Sequence, residues 1–211
     1  RRRVGVRSIG YAQGSHRGGP VTENRTPPEA RPMRLLLAVT GSIAAINIPS
    51  YLFVFVNTYG WHVKVVVSGA ATRFVSPAAL AVISGEPVSG PDWDYAAPVP
   101  IHRDLADWAD TAIVLPATQN TVAKLSAGMA DTLLLATVQG VRGNKIIAPA
   151  LLQPMQESPA ARRNLTTLRN DGYTVLSAGT ARSAADNRPR EGLPPLDQIV
   201  AALVDGRKAP A

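Results

Sequence analysis

The residues of this chain best suited to chemistry lie between Ile101 and Leu135. His102 begins the polar segment HRDLADWAD, the apolar run TAIVLPA follows, and the small polar residues TQNT come directly after that run. An imidazole exchanges protons near neutral pH, and amide and hydroxyl groups hydrogen-bond the edge of a planar heterocycle. Such groups at a strand end, beside the start of a helix, are typical of a site in an α/β protein.

Two further motifs follow predicted strands. The sequence TGSIAA begins at Thr40, and SGAA begins at Ser68. A glycine lets the backbone approach a ligand, and the N–H groups at a helix start can receive a phosphate. A plain turn with a serine cap explains TGSIAA equally well, and a helix cap is the simpler explanation of Ser68 alone. TGSIAA has neither the G-x-G-x-x-G spacing nor a Walker lysine, so a mononucleotide phosphate suits it better than NAD or ATP.

The elements that position these motifs alternate along the chain. Short aliphatic runs predict five strands, at 35–39, 63–67, 111–115, 145–148 and 173–176. Helices are predicted near 43–59, 71–84, 119–136, 158–170 and 196–205, with a kink or split of the first at Pro49. The alternation predicts a doubly wound α/β fold, in which a parallel sheet is flanked by helices in three layers. Residues 86–100 and 178–195 are predicted to be long loops, which are often functional.

Composition narrows the class of protein. The 211 residues are 45% hydrophobic and contain no cysteine, so one sizeable core is expected, without disulfides or thiolate metal sites. Residues 1–32 carry a net charge of +5 out of the total of +7, which indicates a disordered basic tail, not a nucleic-acid-binding face. Met33 is the predicted native start of a domain at 33–211. No apolar run reaches the roughly 18 residues of a membrane span, so a cytoplasmic protein is expected.

Together these motifs resemble the homo-oligomeric flavin-containing cysteine decarboxylases, a family that includes phosphopantothenoylcysteine decarboxylase and the lanthipeptide decarboxylases. The resemblance covers roughly Arg34 to Val175. It is carried by TGSIAA, the segment of His102 that ends in LADWAD, PATQNT for the family's PASANT, AGMADTLL, and PALLQPM for the family's PAMNxxM. It implies a Rossmann-like, flavodoxin-like sheet with FMN as the cofactor.

The resemblance also implies a role for each matching residue. His102 is expected to be the catalytic base, with Asn120 beside it in the catalytic centre. Leu152 and Met155 occupy substrate-binding positions. The residues expected to hold the phosphate and the flavin of FMN are Gly41, Ser42, Ile43, Ser68, Thr118, Gln119, Asn120, Thr121 and Ala150.

In the family's reaction the flavin oxidises the thiol-bearing carbon of a cysteine to a thioaldehyde. This creates the electron sink that lets carbon dioxide leave, and an enethiol results. The resemblance further implies a homo-oligomer, a trimer or a dodecamer built of trimers, with FMN at the subunit interface. The apolar stretch 46–56 is expected to be buried in that assembly.

Four departures from the family pattern bear on the substrate. Asp107 replaces an arginine that meets an anionic group in phosphopantothenoylcysteine decarboxylases, and no cysteine stands in the late segment SAGTARSAADNRPREG. Leu152 replaces the asparagine that holds the substrate carboxylate, and Gln156 replaces a tryptophan. Asn120, Gln153, Arg142 or an arginine of the 178–195 loop are the candidates for binding that carboxylate instead.

These departures predict FMN-dependent decarboxylation of the C-terminal cysteine of a ribosomally made precursor peptide, on the way to a thioether ring. The 178–195 loop is expected to clamp that peptide. Two alternatives stay open: a non-catalytic or regulatory FMN-binding protein of the same fold, and phosphopantothenoylcysteine decarboxylase. Neither a metal, a nucleic acid nor a membrane is an expected partner.

Overall fold

A computed structural model describes residues 32–93, 99–177, 179–182 and 189–208. The predicted tail at 1–32 lies outside the described residues apart from Pro32, as do parts of both predicted loops. All five predicted strands are present and form one parallel sheet in the order β2-β1-β3-β4-β5. The strands are β1 (Arg34–Val39), β2 (His62–Val67), β3 (Thr111–Ala117), β4 (Asn144–Pro149) and β5 (Thr174–Val175).

The sheet forms because its strands are almost continuously aliphatic and are covered on both faces. In β1, Leu35 to Val39 are completely buried, and β3 is buried along its whole length. Alternate residues point to opposite faces, so Leu35 and Leu37 join one core while Leu36 and Ala38 join the other. The predicted doubly wound, three-layer α/β fold is confirmed.

Eight helices flank the sheet in the described part of the chain. They are α1 (Ile48–Asn57), α2 (Pro77–Ser84), α3 (Ile101–Trp108), α4 (Gln119–Ser126), α5 (Leu133–Gly140), α6 (Gln153–Gln156), α7 (Pro159–Asn170) and α8 (Leu196–Lys208). Buried residues of α1, α2 and α8 pack on one face of the sheet, and those of α3, α4, α5 and α7 pack on the other. Each of these helices is too short or too polar to cross a lipid bilayer.

Three predicted helices begin or end elsewhere than expected. Residues 43–59 start with a 3₁₀ turn, Ile43–Asn47, and Pro49 lies in the first turn of α1, where its missing N–H costs no hydrogen bond. A second 3₁₀ turn, Ala71–Arg73, precedes α2. The prediction of a single helix at 119–136 is wrong. The chain forms two helices there, α4 and α5, because Gly128 after the end of α4 adopts a left-handed conformation (φ +69°).

Four elements were not predicted: helix α3, the short helix α6, and strands β6 and β7. Helix α3 carries His102 and exposes most of its polar side chains, and only Leu105 and Ala106 of its eight residues are buried. The predicted loop at 178–195 contains an antiparallel hairpin of β6 (Gly179–Arg182) and β7 (Pro189–Gly192). Residues 183–188 of that loop lie outside the described residues. The expectation that the loop clamps a substrate therefore stays a prediction.

Candidate functional site

The carboxyl ends of four neighbouring strands are tied to one another by hydrogen bonds. The amide of Ser68, after β2, donates to the carbonyl of Val39 at 3.0 Å, and the amide of Ala150, after β4, donates to the carbonyl of Ala117 at 2.9 Å. In a sheet of this order the crevice for a ligand opens beyond the carboxyl ends, where β1 and β3 lie side by side. The motifs that follow β1, β2, β3 and β4 therefore meet at one edge.

Thr40 joins the two central strands at this edge. Its hydroxyl donates to the carbonyl of Pro116 at 2.6 Å and accepts from the amide of Thr118 at 3.1 Å, and its side chain is buried. A buried hydroxyl that satisfies two backbone groups fixes their positions firmly. Sequence reasoning placed Thr40 in a motif without a role, because its partners are 76 and 78 residues away.

The motif after β1 is a tight turn. Ser42 caps the 3₁₀ turn by accepting the amide of Ala44 at 3.3 Å, and Ile43 is exposed. A Cβ added to Gly41 would overlap the side chain and backbone of Ala70, so only glycine fits where the loops after β1 and β2 touch. Ser68 caps the next turn by accepting the amide of Ala71 at 3.3 Å. Gly41, Ser42 and Ser68 thus lie together, and both serine hydroxyls act as caps.

The run after β3 begins α4. Thr118 is its N-cap, accepts the amide of Thr121 at 3.4 Å and shares a 3.0 Å hydrogen bond with the Thr121 hydroxyl. Asn120 is exposed at this helix start. The Oε1 of Gln119 is buried and finds no hydrogen-bond partner among the described residues. A buried oxygen in that state is available to a donor of a bound ligand.

His102 lies in the first turn of α3, on the side of the sheet where the carboxyl ends of the strands lie. The opposite end of α3 is fixed at the amino edge, because the Asp110 carboxylate after it accepts from the amide and from the guanidinium of Arg34 at the start of β1, at 3.0 and 2.9 Å. The crossover helix therefore begins at the carboxyl edge. The imidazole is half-buried, and its Nδ1 has no hydrogen-bond partner among the described residues.

A second residue that sequence reasoning missed is Trp93. Its indole contacts the His102 imidazole in a T-shaped arrangement, with ring centroids 5.2 Å apart and an interplanar angle of 78°. Trp93 falls in a segment predicted to be a loop, nine residues before the histidine. A tryptophan beside four prolines was the one signal that could have drawn attention to it.

The residues expected to meet substrate are less closely grouped. Asp107 is roughly 140° around the axis of α3 from His102 and forms an exposed ion pair with Arg103 at 3.5 Å. Leu152, in the loop after β4, exposes 62% of its surface, and Met155 in α6 is also exposed. Within one chain, Asp107 and His102 therefore lie on different faces of α3. Leu152 and Met155 come a few residues after Ala150, which lies at the carboxyl edge of the sheet.

This donor and acceptor set fits a flavin mononucleotide. Backbone turns with small residues follow β1 and β2, an arrangement that can receive a phosphate, and α4 begins with amide and hydroxyl side chains of the kind that bind a planar heterocycle. The unpaired Oε1 of Gln119 matches the ring N–H that a flavin offers. Among the described residues no cluster of three or more histidine, aspartate or glutamate side chains could hold a metal ion.

Curated relatives share much of the sequence. The chain is 39% identical over 143 residues to the coenzyme A biosynthesis bifunctional protein CoaBC of Bacillus subtilis. This alignment covers 67% of this chain and 35% of the relative. It is 33% identical over 172 residues to the protein of that name from Escherichia coli K12, covering 81% of this chain and 42% of the relative. The chain thus spans well under half the length of these relatives.

Solved structures show the same fold. An FMN-dependent cysteine decarboxylase, SpaF, superposes with a TM-score of 0.71 at 28% identity, covering 82% of this chain and 97% of that one. A PPC decarboxylase mutant complexed with pantothenoylaminoethenethiol superposes with a TM-score of 0.74 at 23% identity, covering 85% and 100%.

A family model described as Flavoprotein matches residues 23–208, which is most of the chain. This match confirms the prediction of a flavin cofactor, and FMN is the flavin named for the SpaF structure. The parallel sheet, the residues gathered at its carboxyl edge and the matched span agree with one another. The chain belongs to the flavoprotein family.

Proposed function

We propose that this chain is an FMN-dependent decarboxylase of a substrate that ends in cysteine. The observation that carries the proposal is that His102 lies in the first turn of α3 and the run Thr118–Thr121 at the start of α4, both on the carboxyl side of the sheet. The likeness to an FMN-dependent cysteine decarboxylase at 28% identity supports it. A base and a set of neutral hydrogen-bonding groups are what proton removal beside a bound flavin requires.

FMN is proposed to lie along the four tied strand ends. The turn at Gly41, Ser42 and Ile43, with Ser68, holds the phosphate, while Ala150 and the residues Thr118, Gln119, Asn120 and Thr121 contact the ring. The serine hydroxyls already cap turns, so backbone N–H groups are the main phosphate donors in this proposal. The Oε1 of Gln119 accepts from the flavin ring N–H.

When bound, FMN supplies the two-electron oxidation that the reaction needs. His102 would take the thiol proton while the adjacent carbon gives up its hydride to this oxidant, which would leave a thioaldehyde on the substrate. Loss of carbon dioxide then breaks the bond between the α-carbon and the carboxylate, and its electron pair forms a carbon–carbon double bond while the carbon–sulfur π pair moves onto sulfur, which would produce an enethiolate. His102 returns its proton to that sulfur, and Asn120, exposed at the start of α4, orients the substrate.

The curated relatives and the residues of the chain favour different substrates. Identity of 33–39% to proteins of coenzyme A biosynthesis favours phosphopantothenoylcysteine. Against this, the chain has no cysteine to complete reduction of an enethiol, and Asp107 stands where that branch meets an anion with an arginine. These features favour a peptide that ends in cysteine and a reaction that stops at the enethiol.

The test presents both substrates to the purified protein and measures product mass. Release of carbon dioxide with two hydrogens lowers the mass by about 46 units and leaves an enethiol, whereas release of carbon dioxide alone lowers it by about 44. We expect the loss of about 46 with a peptide ending in cysteine. Conversion of phosphopantothenoylcysteine alone would assign the coenzyme A branch, and bound flavin without either conversion would assign a non-catalytic flavoprotein.

The protein is proposed to assemble into a trimer, or into a dodecamer built of four trimers, with FMN at the interface. Three large apolar side chains stay 45–58% exposed in the single chain: Ile43 in the proposed phosphate turn, Ile46 in the 3₁₀ turn that begins there, and Phe53 in α1. Their burial against another copy would remove this surface from water. Light scattering of Phe53→Lys beside the unchanged protein checks the proposal, with smaller particles and less bound flavin expected for the variant.

A further inference from the structure

In the described part of the chain, no hydrogen-bond acceptor lies behind Nδ1 of His102. In a proton-transfer histidine one ring nitrogen normally hydrogen-bonds a carboxylate or a backbone carbonyl, which fixes the tautomer and the ring orientation. Here Nδ1 is buried and has no hydrogen-bond partner among the described residues. A contact with the ring itself is the other way in which a protein can orient an imidazole.

The indole of Trp93 makes that contact. The two rings are T-shaped, at a centroid distance of 5.2 Å and an angle of 78°, a geometry that aromatic pairs prefer. Trp93 is itself half-buried and packs on the core that α3 covers, together with Ile101 and Trp108. A rotation of the imidazole about its side-chain bonds would break this packing.

The segment that carries Trp93 is anchored to the sheet. Ser89 pairs with β2, since its amide donates to the carbonyl of Val65 and its carbonyl accepts from the amide of Val67, both at 2.9 Å. Gly90 turns the chain with φ +87°, and a Cβ there would lie 2.5 Å from the carbonyl oxygen of Val67. The backbone at Ser89, four residues before Trp93, is therefore anchored to the edge strand of the sheet, while the indole itself packs on the core beside α3.

We propose that Trp93 is a positioning residue for His102. Its indole holds the imidazole by ring contact, in place of a hydrogen-bond acceptor behind Nδ1. The inference rests on the proposed role of His102 as the base. Loss of the ring contact lets the imidazole sample orientations from which it cannot reach the substrate thiol.

The experiment compares Trp93→Leu, Trp93→Phe and the matched control Trp108→Leu in the flavin-loaded protein. Trp108 packs on the same core as Trp93, lies in the helix that carries His102, and has Lys64 over its ring. Among the ring contacts of the described residues, none joins Trp108 to His102. We expect kcat to fall about two- to tenfold in Trp93→Leu, from the usual strength of an aromatic pair, with KM and flavin content unchanged. Trp93→Phe should restore kcat to within about twofold, since a T-shaped partner remains.

Nuclear magnetic resonance of isotope-labelled histidine supplies a readout that does not depend on activity. The His102 ring signals, assigned with His102→Gln, should shift in Trp93→Leu as the ring current of the indole is lost, and should stay in place in Trp108→Leu. Unchanged His102 signals in Trp93→Leu, or equal losses of kcat in the leucine and phenylalanine variants, would overturn the proposal. If Trp93→Leu shows the expected shifts but the unsubstituted protein converts no cysteine substrate, the contact is correct and the proposed function is overturned instead.

Discussion

The hydroxyl of Thr40 accepts a hydrogen bond from the backbone amide of Thr118 at 3.1 Å, and so connects the end of β1 to the start of α4. The same hydroxyl donates to the carbonyl of Pro116 at 2.6 Å. The two loops that are proposed to hold opposite parts of FMN are thus joined by one buried side chain. Any shift of the phosphate turn relative to the flavin loop must break these bonds.

Thr40→Val is therefore expected to loosen the site. The variant keeps the shape of the side chain and leaves the Pro116 carbonyl and the Thr118 amide without their partner. Buried polar groups that lose a partner cost about 1–3 kcal/mol of unfolding free energy. Urea unfolding should show this loss, and flavin titration should show weaker binding. Thr40→Ser keeps the hydroxyl and serves as the control; equal flavin affinity in the valine and serine variants would contradict the role of Thr40.

Gly41→Ala should disrupt the contact between the loops after β1 and β2. The added Cβ would overlap Ala70, whose backbone lies against Gly41 as well, so one loop must move. Gly69→Ala is the matched control in the next loop, because a Cβ there meets only the ring of Pro91 at 3.6 Å. We expect flavin retention after gel filtration to fall in Gly41→Ala and to persist in Gly69→Ala. Loss of flavin from Gly69→Ala but not from Gly41→Ala would contradict the proposed position of the phosphate turn.

Leu152→Asn tests whether a missing amide limits the enzyme. Leu152 is 62% exposed, so its replacement should change the unfolding free energy by less than about 0.5 kcal/mol. An amide that binds the substrate carboxylate should raise kcat/KM about tenfold or more, since hydrogen bonds to charged groups contribute about 1.5–3 kcal/mol. Leu152→Ser, which is polar and lacks the amide, is the comparison. Equal kcat/KM in both variants would show that another residue already binds the carboxylate.

Tyr173 should make the fold sensitive to alkaline pH. Burial, reinforced by the Asp171 carboxylate, raises the pKa of the Tyr173 phenol above its usual 10.0. The folded chain then holds this proton more tightly than the unfolded chain, so the stabilisation is complete below pH 10.0 and is lost as pH rises through the higher folded pKa. Tyr173→Phe should flatten the decline of unfolding free energy above pH 10.0. Parallel curves for the two proteins would count against this cause.

The five strands could be predicted because continuous aliphatic runs such as LLLAV and TAIVL indicate burial on both faces. Helix α3 was missed because only Leu105 and Ala106 mark its buried side, and the break at Gly128 was missed because the apolar pattern continues across it. The roles of Thr40 and Trp93 depend on partners that only the folded chain brings together. Sequence patterns report local preference and burial, and they carry little information on which distant groups pair.

The most direct test of the central claim is anaerobic mixing of the flavin-loaded protein with a peptide that ends in cysteine, while the absorbance of oxidised flavin is followed. We predict bleaching of the flavin in step with release of carbon dioxide, and a rate about 10²–10⁴ times lower in His102→Gln, which should retain bound flavin. A flavin that stays oxidised with cysteine-ended peptides and with phosphopantothenoylcysteine, in a protein that holds its FMN, would contradict the assignment of this chain as a cysteine decarboxylase.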